Sequence, residues 1–237
     1  FVVEQTLVVG GYDGVDWGRR AAGRRPDYPE RVVDVAGRPV TTVGEYQRVV
    51  AGLAPGDEVS VKTELPDVTL RLYPLPVRAG PATPDLVRLF WLPWGVGLVY
   101  LALGVWVYAL RGRTRAGRAF VLFCLFTSLS NGLIFDLIST HALTGLWAFA
   151  MAQEGSALIS LALLFPQPWR TVRRHPWISL LPYVGSILLG EWELVVLNGY
   201  ANPWAYTTAW RVGYFYAALG VIVLFGTMWY RQTRART

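Results

Sequence analysis

The stretch Arg88–Leu110 reads RLFWLPWGVGLVYLALGVWVYAL, with no charged residue between Arg88 and Arg111. A hydrocarbon core of ~30 Å is crossed by about 20 helical residues, so this segment predicts a transmembrane helix. Four more apolar stretches follow, at 118–139, 143–165, 177–197 and 207–230. The expected fold class is therefore a multi-pass α-helical membrane protein with five transmembrane helices over 88–230. An amino-terminal α+β domain spans 1–80, a linker 81–87, and a basic tail 231–237.

Composition agrees with this division. The 237-residue chain is 53% hydrophobic and only 16% charged, whereas soluble domains carry about a quarter charged residues. Residues 1–85 hold ten Lys and Arg against twelve Asp and Glu, and residues 86–237 hold twelve against four, so the net +6 belongs to the apolar half. Ten of those twelve cations lie in three clusters at helix ends: 111–118, 170–174 and 231–236. That distribution excludes a nucleic-acid-binding face and matches the inner loops of a membrane protein.

The connections alternate in charge. Arg111–Arg118, Pro166–Pro176 and the tail are basic, whereas Thr140–Ala142 and Asn198–Tyr206 are neutral. Basic loops are retained on the cytoplasmic side, which predicts residues 1–85 outside and Thr237 inside. Trp91, Trp94, Trp169, Trp177, Trp204, Trp210 and Trp229 fall near predicted span ends, where amphipathic indoles favour the interface. The chain begins at Phe1 with no leader-like segment, so the expectation is a fragment at both ends, preceded by either a removed signal peptide or an earlier membrane helix.

Within the first domain, Arg31–Val35 predicts a strand, Ala36–Pro39 a turn, and Thr42 with Glu45 a capping box opening a helix to Gly52. Glu58–Thr63 and Val68–Tyr73 alternate as strands, with Val59, Val61, Val68, Leu70 and Leu72 inward. The order of Val32–Val40, a short helix and Pro55–Val61 resembles the second half of a bacterial PDZ domain. That resemblance implies that the loop Gly11–Val15 receives a peptide carboxylate, making Tyr12, Gly14 and Val15 candidate ligand-binding residues. A ligand strand would then add beside Val15–Trp17 through main-chain hydrogen bonds.

The runs Leu163–Arg170 and Arg173–Trp177, following a PDZ-like module, resemble the amino-terminal sensory region of bacterial membrane signalling proteins such as sensor histidine kinases. The resemblance implies the bacterial plasma (inner) membrane as location, and a last span leading to a cytoplasmic output module. An extracytoplasmic peptide or protein, other membrane subunits or a second copy of the chain are the partners expected besides the bilayer.

Polar groups within the apolar half are the other candidates: Asn131, Asp136, Glu154, Glu191, Glu193 and Arg211. An Asp or Arg at a membrane helix centre costs about 2.5–3.5 kcal/mol on insertion scales, so such groups face protein or water. Arg211 is expected to pair with Glu191 or Glu193, which point to opposite helix faces. Glu154 lies about 16 Å deep at ~1.5 Å per residue, opposite the small-residue ridge Ala148, Ala152, Ser156 and Ser160, which suits close helix contact.

No H-E-x-x-H, nucleophilic serine motif or phosphate-binding loop occurs, so neither catalysis nor a metal is expected. His141 and His175 lie at opposite membrane faces, and the one lysine, Lys62, is in the first domain. No cofactor is therefore expected. Two functions fit best, a sensor that transmits an external state inward or a non-catalytic accessory subunit of a membrane complex; a carrier using Asp136, Glu154 and Arg211 lacks the internal inverted repeat of many transporters.

Overall fold

The computed structural model describes residues 2–3, 7, 9–11, 30–54, 57–65, 71–76, 87–138, 140–198, 202 and 204–235. The chain divides into two compact units: residues 1–92 with 134–144 and 196–206, and residues 93–133 with 145–195 and 207–237.

In the first unit, β1 (Val2–Val3) pairs antiparallel with β2 (Val9–Gly11). A second antiparallel sheet comprises β3 (Arg31–Val35), β4 (Arg38–Pro39), β5 (Glu58–Glu64) and β6 (Arg71–Pro76), in the order β4-β3-β5-β6. Ala36 and Gly37 both adopt positive φ, 54° and 74°. That mirror-image turn matches the right-handed twist of the hairpin it closes.

Helix α1 (Val43–Ala51) opens on the expected capping box: the Glu45 amide donates to Thr42 Oγ1 at 3.3 Å, and the Thr42 amide to Glu45 Oε2 at 3.3 Å. Thr41 adds an amide and a hydroxyl donor, each at 2.8 Å, and these hold the Glu45 carboxyl below its usual range. Along β5, Val59, Val61 and Thr63 are buried and alternate with exposed residues. The two valines join Leu7, Val32, Val35, Val40 and Val43 in one apolar core.

The last strand differs from expectation. Its described part runs from Arg71 to Pro76, past the expected end at Tyr73, and residues 66–70 lie outside the described residues. Pro74 faces Ser60 and Pro76 faces Glu58; proline is tolerated because β6 is the edge strand of this sheet among the described residues.

The second unit is helical. After a π-helical turn at Val87–Trp91, α2 (Leu92–Arg111) and α3 (Arg115–Gly132) form an antiparallel pair. A Cβ at Gly97 would lie 3.0 Å from the Ser128 carbonyl, and one at Gly104 would lie 3.0 Å from Cys124 Cβ. The pair is thus in contact over most of its length. A short helix α4 (Ile134–Ile138) belongs to the first unit. Then come α5 (Thr144–Leu164), α6 (Arg170–Arg174), a 3-10 turn (Pro176–Leu180), α7 (Leu181–Leu197) and α8 (Trp204–Ala235).

Among the described residues, four segments are long and apolar enough to cross a membrane: Leu92–Arg111, Thr144–Leu164, Pro176–Leu197 and Trp204–Arg234. The expected span 118–139 is not continuous; α3 stops at Gly132 and α4 restarts at Ile134. Arg115 and Arg118 in the first turn of α3, with Thr127, Ser128, Ser130 and Asn131 in its last turns, lower its apolarity below that of the other four. Within these windows, 72% of α5 is buried but only 11% of α2 and 11% of α8. Helix α5 is therefore the centre of the bundle, and the apolar outer faces of α2 and α8 fit a lipid environment.

Candidate functional site

The polar residues of the bundle converge on α5. On one side, Ser130 of α3 donates its hydroxyl to the Glu154 carboxylate. On the other, Ser186 of α7 donates to Gln153 Oε1 at 2.7 Å. One turn further along α5, the Ser156 hydroxyl donates to the Pro182 carbonyl at 2.7 Å, and Tyr216 of α8 donates to the same carbonyl at 2.9 Å. The two hydroxyls are 3.1 Å apart, so three helices meet at a single carbonyl oxygen.

Small residues make these approaches possible. A Cβ at Gly155 would lie 2.5 Å from the Tyr216 carbonyl, and one at Gly220 would lie 2.7 Å from the Gly155 carbonyl. The helices α5 and α8 therefore touch backbone to backbone. The ridge Ala148, Ala152, Ser156 and Ser160 is buried throughout, and Gly190 of α7 packs on Phe149 and Ala152.

Glu193 occupies the other end of this seam. It is fully buried, at 0% exposure, and neither carboxylate oxygen has a hydrogen-bond partner among the described residues. The facing groups are Gly213 of α8 and Met151 of α5; a Cβ at Gly213 would lie 2.7 Å from Glu193 Oε1 and 2.7 Å from Met151 Cε. Trp147 Nε1 and Gln153 Nε2, on α5, are likewise buried without partners among the described residues.

The expected pairing of Arg211 with Glu193 is not formed. Helix α8 is turned so that Gly213, two residues on, faces the carboxylate, and the Arg211 guanidinium lies over the Trp210 ring at 5.6 Å. Glu191 is exposed, on the face opposite Glu193. Asn131 donates to the Thr127 carbonyl of its own helix at 2.9 Å, near the point where Gly97 approaches α3.

Asp136 is a loop organiser. It accepts the Thr140 hydroxyl and the Ala142 amide on Oδ1, and the Leu143 amide on Oδ2. These bonds shape the connection into α5, where His141 adopts φ 55° and is buried. Burial pushes the His141 imidazole below its ordinary range, against the opposing pull of Asp136.

Tyr12, Gly14 and Val15 lie outside the described residues. Sequence reasoning missed the Gln153–Ser186 contact and the Pro182 carbonyl. Serine, glutamine and tyrosine in an apolar helix give no signal of their partners, and neither does a main-chain carbonyl that accepts from another helix. Comparison with protein-family models, with curated proteins and with solved structures found no match to this chain.

Proposed function

We propose that the chain is a membrane sensor and signal-transmitting region, with an extracytoplasmic PDZ-like module coupled through a five-span bundle to the cytoplasm. The observation that carries this reading is segregation of charge. Two of the three arginine-bearing ends meet one core, Val172 of α6 packing with Ala119, Leu161 and Leu164 and Ala116 packing against them, and Arg231 of the third donates to the Phe165 carbonyl at the end of α5. The neutral connections 134–144 and 196–206 instead group with residues 1–92. Supported by the positive-inside rule, the basic end is cytoplasmic and the sheet-bearing domain is outside.

The antiparallel pairing of α3 with α2 supports α3 as the fifth crossing, since its 18 residues at ~1.5 Å each cover most of the hydrocarbon thickness. The order strand, turn, helix, strand and strand over 31–76 supports the PDZ-like assignment. Helix α8 runs unbroken from Trp204 to Ala235 and ends on a clamp: Arg231 donates to the carbonyls of Phe165 at 2.6 Å and Gln167 at 2.7 Å. A shift of this helix therefore reaches the basic tail. The reading assigns the chain no catalytic step of its own.

Spin labels at Arg113 and Gln232, both exposed, test the reading in the full chain in nanodiscs. A pool of peptides with free carboxyl termini is expected to change the distance distribution between the labels. Unchanged distances with peptide bound contradict transmission. The alternative, an accessory subunit, is distinguished by purification in mild detergent: stoichiometric membrane partners support it, and elution alone supports the sensor.

A further inference from the structure

Helix α6 is short and strongly two-sided. Val172 is 1% exposed and inserted into the core with Ala119, Leu161 and Leu164, whereas Arg170, Arg173 and Arg174 are all exposed. The first turn of α3 borders the same core through Ala116 and Ala119, and its Arg115 and Arg118 are exposed as well. Five exposed arginines thus stand on the two segments that build one small apolar cluster. No Asp or Glu occurs between residues 86 and 135 or between 155 and 190, so none of the flanking segments supplies an acid.

The placement of Arg115 and Arg118 adds an independent argument. They stand in the first turn of α3, capped by Thr114, with no acidic residue there. The amino-terminal end of a helix carries the positive pole of its dipole, so cations at that end are unfavourable unless an external anion lies among them. Arg231 is not part of this group, because its guanidinium is engaged with the Phe165 and Gln167 carbonyls and stacked over Trp169 at 5.4 Å.

The surroundings select the anion's source. Trp169, Trp177, Leu180 and Leu181, beside the α6 arginines, are large apolar side chains that stay exposed. Apolar and aromatic groups next to a ring of arginines suit the boundary between acyl chains and headgroups, where each cation near an anionic membrane surface adds attraction. We propose that the corner formed by α3 and α6 is a binding site for the phosphodiester headgroups of anionic phospholipids.

The full chain in vesicles of phosphatidylcholine with spin-labelled phosphatidylglycerol, or with spin-labelled phosphatidylcholine, tests this. The motionally restricted fraction is expected to favour phosphatidylglycerol roughly fivefold or more at low salt, and the preference is expected to fall as salt rises. The triple variant Arg170→Gln, Arg173→Gln, Arg174→Gln is expected to lose most of the preference, and so is the pair Arg115→Gln, Arg118→Gln. The Arg-to-Lys triple and Arg211→Gln are expected to keep it. Equal restriction of both lipids by the wild type overturns the proposal, as does full preference in both Gln variants. Displacement by millimolar inorganic phosphate at constant ionic strength overturns the lipid assignment in favour of a free-phosphate site.

Discussion

Glu193 is the residue most at odds with its surroundings, since its two oxygens are buried against Gly213 and Met151 with no partner among the described residues. An unsatisfied buried polar group costs about 1–3 kcal/mol, and methionine has similar volume without that cost. Glu193→Met is therefore expected to raise the thermal midpoint of the chain in detergent, and a lower midpoint would reveal a hydrogen-bonded carboxyl. His141 carries a pH dependence of known sign. Its folded-state value is depressed by burial, so the unfolded chain takes up a proton first as pH falls. The stability this imidazole contributes is complete above about 6.5, its unfolded value, and declines as pH drops from there through the depressed folded value. Asparagine tolerates positive φ, so His141→Asn is expected to flatten the thermal midpoint between pH 7.5 and 5.5, where the wild type declines. An equal slope in both proteins would place the titration elsewhere.

Among the elements, the contact of α5 with α8 rests on glycine. Overpacking a close contact costs about 1–3 kcal/mol, and a methyl group at Gly155 meets the Tyr216 backbone. Gly155→Ala is expected to lower the midpoint markedly. Gly226→Ala, with no atom within 4 Å of the added carbon, is expected to leave it unchanged or raise it, because alanine is favoured over glycine in a helix by about 1 kcal/mol. Equal effects would mean that α5 and α8 do not approach this closely. Elements with local signals were legible beforehand: the Thr42–Glu45 box, the Ala36–Gly37 turn and the alternation of β5 are all properties of adjacent residues. The break in the second predicted span was not, because its polar residues are each tolerated in a membrane helix and only together end it at Gly132. Of the two partners expected for Arg211, Glu191 and Glu193, the second was lost for a related reason. Spacing along one helix is fixed by sequence, but rotation of α8 about its axis is decided by where Gly155, Gly213 and Gly220 permit contact.

At the scale of the molecule, charge is sorted by position. Two of the arginine-bearing segments share the apolar core around Val172, and the neutral connections belong to the unit that holds the sheet. Translocating an arginine cluster is costly, and the proposed threading of the chain, the sensor reading and the assignment of the outer domain all depend on that cost. The most direct measurement is cysteine labelling of intact cells with a membrane-impermeant maleimide, at exposed Ser60→Cys on β5 and at exposed Arg115→Cys on α3, with native Cys124 buried. The account predicts modification at position 60 in intact cells and at position 115 only after permeabilisation. Labelling of 115 with protection of 60, or equal labelling of both, would contradict it.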